Sequence, residues 1–382
     1  MMLKRVFVFL VILSSVLTTG CWNYRSLSDM SIVSGMAVDK SPDSENFRLT
    51  FELLDTAKPI KEQGVDNEIV VSEGKTFFDA ARNAKRLLHN KLYFGHMETA
   101  VISEEIAKSG ALAQLIDWFL RDIEFRETLD IVVAKGIPAK EIFHTHGISQ
   151  PIVAYEIERI INQDSKITAS TVEKHLYELY NELNMEGICP VLPAVNILTI
   201  DEKKTCQVAG CAVFKGTRLA GYLTPEETKY YLYAVDRVDG GLLTFPAKGN
   251  GKDDTTLEVI ESNTKISFTF KKGKLKFKLE PKVIAFLDEI AEPLDSLDEQ
   301  KIKELTKNAE VSLSSRIRNV VKKVQGEFGS DIFGFGNMIY RKDPKLWKKL
   351  REDWSETFSG LSVEVSSKIE IVTTSWLEKK GV

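Results

Sequence analysis

Few residues in this chain combine the types and spacing that chemistry requires, and the clearest is a cysteine. Lys4-Arg5 precedes an unbroken apolar run, Val6 to Leu13, which gives way to Ser14-Ser15-Val16-Leu17-Thr18-Thr19-Gly20 and then Cys21. A charged start, an apolar centre and small residues before a cleavage point are the order of an export signal. The apolar run is too short for a membrane helix, which needs about 20 such residues. A cysteine directly after Gly20 adds a second chemistry, that of lipoprotein processing, in which the thiol is diacylated before the Gly20–Cys21 bond is cut. The expected product is a covalent diacylglycerol on Cys21, with an N-acyl chain as a further modification and no other cofactor. Thr18 stands where lipoprotein signals most often carry Leu, and plain secretion or an uncleaved anchor with an incidental cysteine is the competing reading. Two acyl chains, at ~0.8 kcal/mol per buried methylene, suffice for stable anchoring where one is marginal.

Other chemistry is hard to find. Ser72-Glu73-Gly74-Lys75 matches S-x-x-K, but the S-D-N and K-T-G partners of that acyl-transfer chemistry are absent. His144 and His146 could share one face of a strand, yet zinc needs three or four ligands and no further ligand pattern lies nearby. His96 and Glu98 lack a nucleophile to serve. There is no phosphate loop, nucleophile elbow or H-E-x-x-H motif. Cys189, Cys206 and Cys211 form no C-x-x-C pair and read as small buried hydrophobes. The expectation is a protein without catalytic or metal residues, not an enzyme.

The elements behind these residues are those of an ordinary globular chain. Of 382 residues, 43% are hydrophobic and 28% charged, which excludes disorder and a polytopic membrane protein and implies two or three domains. A net charge of -4, from 51 basic and 55 acidic side chains, lacks the electrostatic footprint of a nucleic-acid binder. Strands are expected at Ser31–Val38 and Arg48–Asp55, the second with Leu49, Phe51 and Leu53 inward and Thr50 and Glu52 outward. A helix from Thr76 to Asn90, a strand at Glu98–Ser103, a helix over Ala111–Arg121 and a buried strand at Leu129–Ala134 follow. Ser170-Thr171-Val172-Glu173 has capping-box spacing and predicts a helix start. A boundary is expected near 200, giving a signal peptide 1–20, an N-terminal domain 21–200 and a C-terminal domain 201–382.

In the second half, Thr224-Pro225-Glu226-Glu227 is the strongest helix start, with Gly240-Gly241 as its expected end. A hairpin turns at Lys272-Gly273 with Lys274, Lys276 and Lys278 on one face. Ser296-Leu297-Asp298-Glu299 opens a helical pattern of about thirty residues. Asp343-Pro344 caps another helix, and Leu361–Val372 alternates as a closing strand. Hairpins mixed with helices argue an α+β fold of two or three subdomains with mostly antiparallel sheets.

Arg121, Asp122, Glu124, Arg126 and Glu127 crowd the end of the second helix, as a local ion-pair network or as a partner surface. Trp22 sits either at the bilayer interface or folded onto the first domain. Cys21-Trp22-Asn23-Tyr24-Arg25, running without a gap into Leu27, Asp29, Ile32, Val33, Gly35 and Asp39, resembles the mature start of the Ger(x)C family, the lipoprotein C subunits of spore germinant receptors. Tyr93-Phe94-Gly95-His96, then Phe119-Leu120-Arg121-Asp122 with Glu124 and Arg126, Gly221-Tyr222-Leu223 before Glu227-Thr228, and finally Pro344, Trp347 and Trp354 resemble that family's motifs in order. Asn23, Ser26 and Ala37 depart from its commonest residues.

The resemblance implies attachment through Cys21 to the outer face of the inner spore membrane. It also implies assembly with membrane-embedded A and B subunits into a receptor that triggers germination on sensing nutrients. That family's nutrient pocket is attributed to the B subunit, so no ligand residues are expected here. Trp22, Arg25, Arg121, Asp122 and Arg126 are the candidates for membrane or partner contact. A solute-binding lipoprotein feeding a transporter is the alternative of a different class.

Overall fold

The computed structural model describes residues 29–54, 67–248, 251–290 and 298–372, together with positions 2, 4, 5 and 7. The fold is α+β. Its first half contains β1 (Met30–Lys40), β2 (Phe47–Leu54), β3 (Asn67–Gly74), α1 (Phe77–Asn83), β4 (Lys91–Tyr93), β5 (Thr99–Ser103), α2 (Glu104–Ser109), α3 (Leu112–Arg121) and β6 (Asp130–Ala134). Then come α4 (Val153–Ile167), α5 (Leu176–Asn184), β7 (Val191–Ile200), β8 (Lys203–Lys215) and β9 (Arg218–Leu223). One sheet takes all nine strands in the order β3-β2-β1-β5-β6-β7-β8-β9, with β4 beside the start of β1.

The centre of this sheet, β1-β5-β6-β7, is parallel, and antiparallel hairpins flank it on both sides. Parallel strands are normally covered on both faces, and here β5 and β6 are buried at every position. On one face Phe77 of α1, Leu115 and Phe119 of α3 and Leu179 of α5 pack together. On the other, Ile142, Phe143 and the α4 residues Ile157 and Ile161 close a second layer. Thr50 and Glu52, expected to point to solvent, are therefore both fully buried. Alternation marked one face of β2 correctly, but the second layer covers the other.

Residue 200, the expected division, falls at a hairpin tip. Asp201 and Glu202 both have positive φ, 47° and 66°, which suits a two-residue turn matched to strand twist. The first sheet continues through β8 and β9 to Leu223. Ser170 does not open a helix. The α5 N-cap position is His175, whose backbone amide donates to the Glu178 carboxylate at 3.2 Å. Ser170 and Thr171 instead donate their backbone amides to Asp164, at 2.6 and 2.7 Å.

The second half is built from α6 (Pro225–Ala234), β10 (Leu242–Phe245), β11 (Thr255–Lys271), β12 (Lys274–Ile290), α7 (Glu299–Lys323), α8 (Phe335–Lys342), α9 (Pro344–Leu350), α10 (Trp354–Ser359), β13 (Ser362–Val365) and β14 (Lys368–Val372). Thr224 and Glu227 form the expected reciprocal cap. The helix ends at Ala234, short of Gly240-Gly241. α7 is capped by Asp298 rather than Ser296, which lies outside the described residues. The alternating tail makes two strands, β13 and β14, which pair in succession with β12. The chain breaks between them where the Ser367 amide donates to Ser314 Oγ at 2.9 Å. The lysine row of β12 faces carboxylates, with Lys276 on Glu364 at 2.5 Å and Lys278 on Glu280 at 2.7 Å.

α6 joins the halves. Tyr230 to Ala234 are all buried, as expected of a helix enclosed on every side. They share one cluster with Val213 and Leu223 of the first sheet and Leu257 and Phe277 of the second. Cys206 and Cys211 lie in separate clusters of the core, and burial pushes both thiols up to about 12, well away from reactivity.

Candidate functional site

Gly20, Cys21, Trp22 and Arg25 lie outside the described residues. What the structure describes is the surface their chain enters. Met30 pairs with Lys91 of β4, whereas β5 joins β1 only from Gly35, level with Thr99, which is itself level with Asp130 of β6. At ~3.3 Å per residue, β1 and β4 thus extend about 16 Å past the central strands. The loops that bracket this extension are 87–90, which leads into β4, and 122–129, which leads from α3 to β6.

The crowded charges after α3 belong to this end. Arg121 Nε donates to Asp117 Oδ2 at 2.7 Å, one turn back on the same helix. Asp122 ends the helix and accepts the Glu124 amide at 3.2 Å. Glu124 pairs with Lys91, and Arg126 with Glu98 at 3.3 Å, so the loop is tied to both β4 and the start of β5. Arg121, Asp122 and Arg126 are thus brought to one loop, although their charged groups face different partners.

Beneath them is an aromatic floor. Phe94, Trp118, Phe119 and Phe125 pack with centroid separations of 4.7 to 6.4 Å. The buried Trp118 indole N–H has no partner. A cavity of about 370 Å³ opens over this floor, walled by Arg82, Asn90, Lys91, Asp122 and Ile123. A second, of about 530 Å³, adjoins it across Phe78 and Trp118. A larger opening, about 800 Å³, is at the far ends of β1 and β5. Its ionic groups are engaged: Arg48 with Glu73 at 2.7 Å, Lys108 with Glu104 at 2.9 Å, and Asp39 with the Ala139 and Lys140 amides at 2.8 and 2.9 Å.

Other groups with reactive potential are occupied by structure. Ser72 Oγ donates to the Ala80 carbonyl at 2.7 Å, so the S-x-x-K serine serves the turn into α1. His144 and His146 flank the end of a short 3-10 turn, and among the described residues no group of His, Cys, Asp and Glu could hold a metal. The nearest approach to acid–base geometry, unseen in the sequence, is His175. Its Nδ1 lies 2.8 Å from Asp130 and its Nε2 3.2 Å from Glu173. The Asp130 contact raises the imidazole above its ordinary value, while burial pushes Asp130 up to about 6. Among the described residues no hydroxyl or thiol nucleophile joins them, and His175 is the α5 cap. Among the described residues no helix is long and apolar enough to cross a membrane.

A fully buried carboxylate with every oxygen engaged is also one that sequence reasoning missed. Glu52 Oε1 accepts from Val153 N at 2.8 Å and Asn67 Nδ2 at 2.8 Å, and Oε2 from Ser34 Oγ at 2.8 Å and Ala154 N at 3.0 Å. It caps α4, whose own N-cap residue Ile152 supplies no side-chain bond. Gly35 permits the approach, because a Cβ there would lie 2.6 Å from Ala154 Cβ. These groups hold the fold that presents the entry end.

Comparison with known proteins decides the family. Residues 23–197 match the spore germination protein N-terminal domain, and residues 209–375 match the C-terminal domain described as spore germination B3/GerAC like. The chain belongs to the GerAC-like family of spore germination proteins. Among its relatives in Bacillus subtilis (strain 168), spore germination protein KC is 26% identical, covering 98% of this chain and 97% of that protein. Spore germination protein A3 is 24% identical over 96% of this chain and 97% of that protein. Spore germination protein B3 is 23% identical over 92% of this chain and 93% of that protein. The crystal structure of the GerBC protein shares the fold, with a TM-score of 0.57 at 21% identity over 88% of this chain and 97% of that one. The GerAC-like match thus runs through both halves, including the α3 end and the entry strand.

Proposed function

We propose that this chain is a noncatalytic, lipid-anchored subunit of a spore germinant receptor. A thioether-linked diacylglycerol at Cys21 holds it to the outer face of the inner spore membrane, where it assembles with membrane-embedded A and B subunits to support nutrient-triggered germination. The observation that carries this reading is the end-to-end match to spore germination proteins KC, A3 and B3 in a chain whose Gly20–Cys21 junction has the order of a lipoprotein signal. Tethering confines the folded halves to within a linker's reach of the membrane and raises the effective concentration for interfaces that are individually weak. Trp22, Arg25, Arg121, Asp122 and Arg126 form the contact region on this reading, since the described members gather at the end where the tether enters.

Two measurements test it together. Mass spectrometry of the chain from spores is expected to find residues 1–20 removed and Cys21 acylated. Affinity isolation from spore membranes is expected to recover A and B subunits with it. An unmodified Cys21 with the leader attached sinks the anchoring. Saturable calorimetric binding of an amino acid or sugar by this chain alone, without the two subunits, turns the reading towards a solute-binding lipoprotein.

A further inference from the structure

The entry end carries two large apolar side chains that packing does not explain. Ile123, in the loop after α3, is 97% exposed, and Leu87, in the loop before β4, is 67% exposed. Single exposed apolar residues are ordinary. These two, however, bracket the β1–β4 extension, and Met30 at its start is only nine positions from Cys21. At ~3.3 Å per residue that tether spans at most about 30 Å, so a bilayer holding Cys21 is within reach of both loops.

Cations gather on the Leu87 side of this end, while the carboxylates of Asp122 and Glu127 stand on the Ile123 loop. Arg121 and Lys91 are paired with Asp117 and Glu124. Arg82 lies over the Phe78 ring at 4.8 Å, and Lys85 donates to the His89 carbonyl. Among the described residues neither they nor the neighbouring Arg86 has a carboxylate partner. Apolar tips beside a cluster of cations without carboxylate partners are the composition of surfaces that lie in the headgroup layer.

We infer that the entry end of the first sheet is an interfacial membrane-docking face, in which Leu87 and Ile123 insert at the headgroup boundary while Arg82, Lys85 and Arg86 meet anionic phospholipid. The inference deepens the anchoring proposed for Cys21: acyl chains fix location, and this face fixes orientation, with β1 directed at the bilayer. It also leaves the far end of the first sheet turned away from the membrane.

The test uses a chain beginning at Trp22, which keeps every described strand and helix from 29 to 372 and carries no acyl group. Co-sedimentation with vesicles of phosphatidylcholine alone, or mixed with phosphatidylglycerol, is expected to show binding to the anionic vesicles that falls with added salt. The double variant Leu87→Ser/Ile123→Ser is expected to weaken that binding by at least about tenfold. Lys85→Glu/Arg86→Glu is expected to remove the preference for phosphatidylglycerol. These side chains are exposed, and circular dichroism checks that each variant stays folded. In the Ile123→Trp variant, brominated lipids are expected to quench the new indole. No binding to anionic vesicles, binding indifferent to both double variants, or an unquenched indole overturns the inference and leaves the face to a protein partner. Acylation of Cys21 in material from spores is measured separately and stands or falls without these results.

Discussion

Glu52 in the first half and Asp331 in the second are buried carboxylates that do similar work over different distances. Glu52 gathers donors from Ser34, Asn67, Val153 and Ala154, and so joins strands of one sheet to a helix a hundred residues later. Asp331 accepts from the amides of Phe335 at 3.2 Å and Gly336 at 2.7 Å and from the Trp354 indole at 3.1 Å, which orders only the start of α8 and its contact with α10. A carboxylate that ties distant segments supports the sheet as a unit, whereas one that ties near neighbours supports a loop. The half that carries the proposed membrane face is therefore the half in which one buried carboxylate ties a strand to a distant covering helix.

Replacing Glu52 tests that difference most severely. Glu52→Leu leaves two backbone amides, a hydroxyl and an amide side chain without their acceptor in a dry layer. We expect a loss on the order of 3–5 kcal/mol, read as a lowered urea midpoint. A loss below about 1 kcal/mol would mean that water or another group replaces the carboxylate, and the comparison would fail.

Asp331→Asn should cost less at neutral pH, on the order of 1 kcal/mol, because the shape is kept. Its effect should depend on pH. Burial pushes the Asp331 carboxyl up to about 6, above the ~4 of an unfolded chain, so between those values the native state holds a proton that the unfolded state has lost. The stability contributed by this group is complete below pH ~4 and is lost as pH rises through about 6. Wild type should therefore pull ahead of the variant on acidification from pH 7 to 4, in urea titrations at each pH. A pH-independent gap would show that the three donors keep Asp331 ionised.

How much of this was legible in the sequence depends on the range of each interaction. Thr224 and Glu227 were readable because both halves of the cap lie within one turn. So was the hairpin turn at Lys272-Gly273, where local backbone geometry decides the outcome. Glu52 was misread because alternation along β2 reports which residues differ, not whether a second layer covers the polar face. His175 was passed over in favour of Ser170, since a hydroxyl is the better intrinsic cap. The Asp164 carboxylate claims the amides at 170 and 171 and moves the helix start onward. At the entry end, Arg121, Asp122 and Arg126 were singled out as a group, but Arg82, Lys85 and Leu87 come from α1 and the turn after it, which the packing of α1 on α3 and the β1–β4 pairing bring near.

The His175–Asp130 contact gives a smaller expected effect. Asp130 hydrogen bonding is the main cause of the raised His175 value, so Asp130→Asn should move the imidazole titration to lower pH in an NMR series. In wild type, the stability contributed by the raised His175 imidazole is present below ~6.5 and is lost as pH rises through its native value. An unmoved titration would assign the shift to Glu173 and Glu178 instead.

The smallest change in stability is expected at the face itself. Arg126 and Glu98 form a partly exposed pair at 3.3 Å, and such pairs contribute little, so Arg126→Ala should shift stability by no more than ~0.5 kcal/mol. Its use is to separate the two readings of the charged cluster. If the cluster is only local support, spores carrying this variant should germinate like wild type. If it is a contact surface, germination should slow or recovery of the A and B subunits should fall while the urea midpoint of the purified chain stays in place. A variant that is silent in all three measurements would remove Arg126 from the proposed contact region and leave the face to its apolar tips.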